Sequence, residues 1–293
     1  MGHSPAWVAM EEQVSEPRWW QWPTILSLDA PAVALLWQWL LARSANATLH
    51  AHDAFILGAS VWLAYVADRW IEGCRLAEVF TLRHRFYQRW RWPVAAVWLA
   101  VLGCDVGIAL LHLTSRELEA GLVLLAFVVV YLFSHQLVHR NHGWRLPKEA
   151  CVAILLGGGA GLFPFLRSPF PWWPLIPPLT LFVLLCFVNC VLISAWECEV
   201  DEMHGQTSIA LQFRRGVAFS NAAPWVLAGV AVAFLAAGTA DQARPAVLCA
   251  AASSVSLGMV NLLEPHSGRQ LARVLADVAL MTPVVTLMGT LLR

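Results

Sequence analysis

The sequence predicts an all-α, polytopic membrane protein, a helical bundle of about nine transmembrane helices. Of its 293 residues, 59% are hydrophobic and 13% are charged, whereas a soluble domain usually carries about 25% charged residues. Apolar runs of about 20 residues, the length that spans a bilayer, recur along the whole chain. The polar breaks between them are short, so we expect one transmembrane domain over residues 1–293.

Each predicted span is an apolar run between two polar breaks. Residues 1–23 precede the first run, and their glutamates followed by tryptophans predict an exposed lead-in that ends in an interfacial aromatic anchor. The spans fall near residues 24–42, 50–70, 93–113, 117–138, 149–166, 173–196, 217–239, 244–263 and 271–292.

Basic residues are unevenly divided between the two ends of this bundle. With nine spans, fourteen of the 19 Lys and Arg residues fall on the face that holds the N-terminus. Because short cytoplasmic loops carry an excess of Lys and Arg, this face is predicted to be cytoplasmic.

Two pairs of acidic residues each follow a long apolar run. Asp68 and Glu72 end the second span, and Glu197 and Asp201 end the sixth. The i, i+4 spacing places both carboxylates of a pair on one helical face, where they repel each other unless a cation lies between them. Both pairs lie at the predicted cytoplasmic end, so the sequence predicts a divalent-metal site there.

A dense basic cluster follows the first acidic pair and includes Arg75, Arg83 and Arg85. Arginine guanidinium groups bind phosphate oxygens through paired hydrogen bonds, and carboxylates bind divalent metals. Acidic and basic groups side by side therefore indicate a metal-bridged phosphate or diphosphate ligand.

Other polar residues within the spans admit more than one interpretation. Asp105 and Asp277 fall in the third and ninth spans, where an ionised carboxylate is costly unless it is paired or hydrated. Arg273, one turn before Asp277, predicts an intrahelical ion pair. Asp105 is either a neutral, hydrogen-bonded acid or a cavity-lining one. Asn189, two turns before Glu197, lines the same cavity or bonds a neighbouring helix.

Two further patterns carry less chemical information. His135, His139 and His142 have metal-ligand spacing, but they lie where the fourth span leaves the membrane, and oxygen ligands dominate the better candidate site. The glycine run from Gly157 to Gly161 indicates close helix packing, a groove for a chain-like substrate, or both.

The arrangement of spans, acids and basic loops resembles the UbiA superfamily of intramembrane prenyltransferases. The family's first motif is N-D-x-x-D-x-x-x-D, and Asp68 and Glu72 match its last two acids. The second contains D-x-x-x-D, which Glu197 and Asp201 match. Residues 205–208, GQTS, look like the family's G-x-x-S tail, and Lys148 looks like its lysine before the fifth span. Ala64 and Tyr65 depart from the pattern, because they stand where the family has Asn and Asp.

The resemblance implies an Mg²⁺-dependent transfer of an isoprenyl group from a prenyl diphosphate to a lipophilic acceptor within the membrane. The implied metal ligands are Asp68, Glu72, Glu197 and Asp201. The implied diphosphate-binding residues are Arg75, Arg83, Arg85 and Lys148, and Tyr65 and Asn189 are the candidate cavity-lining residues. Expected partners are the prenyl diphosphate, the acceptor and membrane lipids, and not nucleic acid.

Two other functions are compatible with the same sequence. The incomplete first motif also fits a non-catalytic relative that binds an isoprenoid or an anionic lipid. Asp105 and Asp277, as midplane carboxylates, fit a transporter that couples transport to ion or proton binding.

Overall fold

The computed structural model describes residues 16–75, 82–134, 147–169, 171–198, 209 and 216–292. Every regular element within these residues is helical, which confirms the all-α prediction. The helices in chain order are α1 (Trp22–Ile25), α2 (Asp29–Ser44), α3 (Ala51–Arg75), α4 (Leu82–Arg89), α5 (Arg91–His112), α6 (Ser115–Phe133), α7 (Lys148–Arg167), α8 (Ile176–Trp196), α9 (Gly216–Ala236), α10 (Arg244–Ser267), α11 (Arg269–Ala279) and α12 (Pro283–Leu291).

Each predicted span corresponds to a helix or to a bent pair of helices. Within the described residues, six helices are long and apolar enough to cross a membrane, and the number rises to eight if each bent pair is one span. The remaining predicted span is α6, whose first two turns carry Arg116, Glu117 and Glu119. The predicted boundaries agree with these helices to within a few residues.

The first and ninth spans are broken, although the sequence analysis predicted continuous helices. The segment Trp19–Ile25 meets α2 at 75°, and α11 meets α12 at 48°. Ser27, between α1 and α2, has a φ of 58°, a left-handed conformation that interrupts a right-handed helix. Pro283 opens α12 and lacks the N–H that would continue the hydrogen-bond ladder from α11. Both breaks therefore have a local cause.

The core of the bundle forms where α2 meets α8. Trp37 of α2 is completely buried and stacks on Phe182 of α8, with 4.6 Å between the ring centroids. Its indole N–H donates a 2.9 Å hydrogen bond to the carbonyl of Leu280, at the bend between α11 and α12. One tryptophan thus joins the first, sixth and ninth spans and gives a hydrogen bond to a carbonyl at the end of a helix.

The outer surface of α5 is apolar. Only 6% of its apolar stretch is buried, and Leu99, Leu110 and Leu111 are exposed. Large hydrophobic residues of α6, α9 and α12 are exposed in the same way. An apolar surface of this extent is typical of a protein that lipid surrounds. The chain is an integral membrane protein.

One end of the bundle, where α3 begins and α7 ends, is held by a buried ion cluster. The guanidinium of Arg167 donates to Asp53 at 2.9 Å and to Glu117 at 2.5 Å. The Asp53 side chain is completely buried, so its charge needs this partner. The cluster joins α3, α6 and α7 at the end opposite the predicted acidic pairs.

At the other end, α4 is held against α1 and α3. The hydroxyls of Tyr87 and Ser27 are hydrogen-bonded at 3.0 Å, and Arg69 of α3 donates to the carbonyl of Thr24 at 2.7 Å. The first bond holds α4, the helix that carries Arg83, beside the turn after α1, and the second joins α3 to α1.

The glycine run of α7 allows close helix packing. A β-carbon on Gly157 would lie 2.3 Å from Cγ2 of Val183 in α8, and one on Gly159 would lie 3.0 Å from a methyl carbon of Leu57 in α3. The space beside these glycines is therefore already filled by neighbouring side chains. The packing interpretation holds for this run, and its glycines do not line the cavity found among the described residues.

Replacement of Gly157 by Ala should destabilise the bundle by about 1–3 kcal/mol, because Val183 is β-branched and cannot turn its methyl group away freely. The matched control is Gly103→Ala in α5, where a β-carbon meets nothing within 4 Å. The control should unfold at the wild-type temperature or slightly above it. Thermal unfolding in detergent measures both variants, and equal midpoints for the two would contradict this packing.

Candidate functional site

A polar cavity lies at the end of the bundle where α3 and α8 finish and α4 and α11 lie beside them. Its volume is about 170 Å³. Residues from seven helices and the residue that follows α8 line it. They are Asp29, Ala30, Tyr65, Asp68, Arg69, Glu72, Arg83, Tyr131, Lys148, Glu149, Val152, Asn189, Cys190, Ile193, Ser194, Glu197, Arg273 and Asp277.

The cavity brings together most of the site residues predicted from sequence. Those that line it are Asp68, Glu72, Glu197, Arg83, Lys148, Tyr65 and Asn189. Arg85, predicted to bind the diphosphate, is exposed and does not line the cavity, because it lies on a different face of α4 from Arg83. Asp201 and the side chain of Arg75 lie outside the described part of the structure, and their predicted roles stay predictions.

Glu197, immediately after α8, is bound by two arginines from different helices. One carboxylate oxygen lies 3.7 Å from Nη2 of Arg83 in α4, and the other accepts a hydrogen bond from Nη1 of Arg273 in α11. Burial alone would raise the pKa of Glu197, but the charges of Arg273 and Arg83 lower it to about 2. We call these three residues the Glu197 clasp.

Burial acts in the opposite direction on the bases of the clasp. It lowers the pKa of Arg83 to about 10, with help from the nearby charge of Arg273 and against the attraction of Glu197. At neutral pH all three groups are therefore charged. The clasp is a triad with one net positive charge.

The predicted intrahelical pair of Arg273 and Asp277 is not the arrangement that the described residues adopt. Arg273 instead binds Glu197 of another helix. Asp277 accepts a 3.0 Å hydrogen bond from the amide of Asn189 and lines the cavity, as does Asp29. Arg273 and Asp277, one turn apart on α11, therefore have different partners.

Sequence analysis did not identify several residues of the site. Asp29 opens α2 and Glu149 opens α7, and each is more than nine-tenths buried. One oxygen of Glu149 accepts a 3.1 Å hydrogen bond from the backbone N–H of Ile209. The sequence feature that could have identified both residues is an acid at the start of an apolar run, whereas the predicted pairs lie at the ends of such runs.

Several buried polar atoms of the cavity have no hydrogen-bond partner among the described residues. They are Nε of Arg83, Oε2 of Glu149, Oδ1 of Asn189, Oγ of Ser194 and Nε of Arg273. Each such atom loses its hydration on burial without compensation. The set includes donors and acceptors, and it indicates a polar ligand or ordered water in the cavity.

The formal charge of the cavity is negative. Its described lining has six carboxylates and four basic side chains, which gives −2 if every group is ionised. An anionic ligand therefore needs accompanying cations to enter, because like charges in a partly buried site repel strongly.

Other polar groups singled out in the sequence lie away from the cavity. Asp105 accepts a 2.8 Å hydrogen bond from Ser60, as the hydrogen-bonded alternative predicts, and it does not line this cavity. His50, His52 and Asp53 lie close enough to share a metal ion, but both carboxylate oxygens of Asp53 are bound by Arg167 at the opposite end. Residues 135, 139 and 142, the spaced histidines, lie outside the described ranges.

The chain is similar in structure to a UbiA homolog from Aeropyrum pernix K1, described in its apo form. The TM-score is 0.57 and the sequence identity is 16%, over 88% of this chain and 98% of the homolog. No family model and no curated protein matches the sequence. This likeness shows the fold: the bundle is UbiA-like, as the sequence predicted.

Replacement of Arg273 by Gln should lower the free energy of unfolding by about 1–3 kcal/mol, because Glu197, whose side chain is 21% exposed, would lose one of its two charged partners. The double variant Glu197→Gln/Arg273→Gln should lose less than the sum of the two single variants. Arg244→Gln is the control, since Arg244 pairs with Asp241 at 2.9 Å on the exposed surface and such pairs contribute about 0–1 kcal/mol. Chemical unfolding in mixed micelles measures all four, and a loss in Arg273→Gln no larger than in Arg244→Gln would contradict the clasp.

Proposed function

We propose that the protein is an Mg²⁺-dependent intramembrane prenyltransferase that uses this cavity to bind and ionise a prenyl diphosphate. The observation that carries the proposal is the cavity itself: carboxylates and basic side chains meet in one cavity within a UbiA-like bundle. Its buried polar atoms without partners support a polar ligand there. The positive-inside pattern supports a cytoplasmic location for its mouth.

The basic side chains of the cavity would bind the diphosphate. Arg83 and Arg273 each have an Nε atom without a partner, and Lys148 lines the same space. Guanidinium groups match the geometry of phosphate oxygens, and an ammonium group binds them as a point charge. Arg83 and Arg273 approach from different helices, so a bound diphosphate would join α4 to α11.

The acidic side chains fit magnesium ions that accompany the diphosphate. Asp68 and Glu72 lie one turn apart on α3 and line the cavity. Both carboxylate oxygens of Glu197 are bound by Arg83 and Arg273, so the fit to Mg²⁺ rests on Asp68 and Glu72. Carboxylate oxygens are the ligands that Mg²⁺ prefers, and a divalent cation offsets the formal charge of −2. Bound Mg²⁺ would stabilise negative charge on the leaving diphosphate. Asp201 completes the predicted ligand set from outside the described residues.

The rest of the cavity suits an allylic cation. Tyr65 and Tyr131 present aromatic side chains to the cavity, and aromatic faces attract cations. The surrounding helices exclude water and accept an apolar chain from the bilayer. These side chains would shield the cation until an acceptor attacks it.

Replacement of Asp68 by Asn should abolish diphosphate release from a prenyl diphosphate while the protein stays folded, because the amide removes a charged metal ligand and keeps the shape of the side chain. Release should fall by at least about 100-fold, the effect expected of a group that stabilises the transition state. Radiolabelled farnesyl diphosphate with Mg²⁺ provides the assay.

The control is Asp105→Asn, which changes a buried acid outside the cavity and should keep wild-type release. Retained release in Asp68→Asn would remove that residue from the metal site. Ligand binding without any release by the wild-type protein would favour the non-catalytic alternative. Proteoliposome flux that Asp105→Asn abolishes and Asp68→Asn does not would favour a transporter.

Mg²⁺ and a prenyl diphosphate together should raise the unfolding temperature by more than the sum of their separate effects. The expectation follows from linkage, because each ligand offsets the charge that opposes binding of the other. Differential scanning fluorimetry measures three shifts of the unfolding temperature: with Mg²⁺ alone, with farnesyl diphosphate alone and with the two together. Additive shifts would contradict shared binding, and Asp68→Asn should reduce only the joint effect.

A further inference from the structure

A basic and aromatic surface lies outside the cavity, where α4 ends and α5 begins. Arg85 and Arg89 of α4 and Arg91, the first residue of α5, are exposed. Trp90 is 48% exposed and Trp92 is 71% exposed. None of the five residues lines the cavity. We call them the α4–α5 patch.

The arginines of the patch have no acidic partner within the described ranges. The acid bound to α4 there is Glu197, and it is held by the arginines of the clasp. Arg85 and Arg89 are four residues apart on one face of α4, and like charges at this spacing destabilise a helix. Arg83 adds a third positive charge to the same eight residues. The outer face of α4 therefore favours an anion from outside the protein.

Two arginines of the patch are stacked on indole rings. The guanidinium carbon of Arg89 lies 6.0 Å from the ring centroid of Trp90, and that of Arg91 lies 5.6 Å from Trp92. An arginine stacked by its flat face keeps the N–H groups at its edge for hydrogen bonds, and their geometry matches phosphate oxygens. The indole N–H of Trp70 in α3 donates a 3.0 Å hydrogen bond to the carbonyl of Arg91, which joins the patch to the bundle.

The position of the patch is that of lipid headgroups. The apolar helix α5 begins at Arg91, and only 6% of its apolar stretch is buried, so its sides face lipid. Tryptophans at the end of such a helix lie at the level of the headgroups. A lipid whose acyl chains lie along α5 would thus bring its phosphate to the exposed arginines.

We propose that the α4–α5 patch binds the phosphate group of an anionic glycerophospholipid from the surrounding leaflet, and that this lipid stabilises α4. Exposed arginines at a membrane surface attract anionic lipids, and the tryptophans provide apolar contacts that a soluble anion could not use. The inference does not depend on the proposed function, because the patch lies outside the cavity.

The helix α4 connects the patch to the cavity. One face of α4 carries Arg83, 3.7 Å from Glu197, and Tyr87, whose hydroxyl is hydrogen-bonded to Ser27 at 3.0 Å. The exposed face carries Arg85 and Arg89. A phosphate beside these two arginines would offset their repulsion, so that α4 would be held from both sides.

Purified protein in dodecyl maltoside micelles, with dioleoyl phosphatidylglycerol or dioleoyl phosphatidylcholine added in equal amounts, tests the inference. Native mass spectrometry measures the affinity for each lipid, and hydrogen exchange measures the protection of residues 82–89. The wild-type protein should bind phosphatidylglycerol more tightly, and this lipid should slow exchange in α4. Inorganic phosphate should not slow it, because phosphate has no acyl chains to lie beside α5.

The double variant Arg85→Gln/Arg89→Gln should bind phosphatidylglycerol about 30-fold more weakly, about fivefold for each arginine, and should lose the added protection of α4. The matched control is Arg43→Gln/Arg116→Gln, which removes two exposed arginines at the opposite end of the bundle. Arg43 lies 5.9 Å from the ring centroid of Trp39, so the control also includes an arginine stacked on an indole. It should keep the wild-type affinity and the protection of α4.

The unfolding temperature without added lipid checks that each variant is folded, as expected for changes at exposed side chains. If the double variant does not fold, Arg91→Gln provides the same test, with an expected loss of about fivefold in affinity.

Equal wild-type affinity for the two lipids would overturn the inference, and so would equal weakening in the double variant and its control. Protection of α4 by inorganic phosphate as large as that by phosphatidylglycerol would assign the patch to a soluble anion and overturn the lipid assignment. None of these measurements uses a prenyl diphosphate, so their failure would leave the proposed function intact.

Discussion

The site depends on the neutralisation of Glu197 inside an apolar bundle. The Glu197 side chain is only 21% exposed, so an unpaired charge there would lose most of its hydration, and α8, which precedes it, offers no base. The two arginines that neutralise it come from α4 and α11. A single electrostatic requirement therefore holds α4 and α11 against the end of α8, and the cavity lies between them.

The bends of the first and ninth spans position residues that line the same cavity. The break at Ser27 lets α2 begin at Asp29, whose Oδ1 accepts a hydrogen bond from the N–H of Ala30 at 2.9 Å. The N-terminal end of a helix favours negative charge, so the start of α2 is a suitable place for a buried acid. The bond from Trp37 to Leu280 holds α2 beside the bend after α11. Two interruptions that would weaken a simple membrane anchor here bring Asp29 and Asp277 to one cavity.

The sequence predicted the bundle well because the signal for a membrane helix is strong and local. Long apolar runs leave few alternatives, since only a helix satisfies its own backbone within lipid. The bends were harder to predict. A serine with positive φ and a proline at a helix start are common residues, and only their tertiary surroundings decide whether the chain turns there.

The site was predicted in part for a related reason. Asp68, Glu72 and Glu197 follow apolar runs, so their position marks them as unusual in the sequence alone. Arg273 and Asp277 were interpreted as a pair, because the sequence shows only neighbours along one helix and i, i+4 partners are the obvious choice. Their actual partners are Glu197, immediately after α8, and Asn189 on α8, and both lie more than 75 positions away in the chain. Contacts between spans depend on how the helices pack against one another, and the spacing of apolar residues along the sequence does not determine that packing.

The structure shows how the cavity can be acidic although the first motif is incomplete. Tyr65 stands where the UbiA-type pattern has an acid, and it lines the cavity. Asp29 and Asp277 line the same cavity and bring carboxylates to it from α2 and α11. The negative charge that the motif lacks along α3 is therefore present in space. Because electrostatic attraction depends on the distance between charges and not on the order of residues in the chain, the acidic character of this cavity does not require the complete motif on α3.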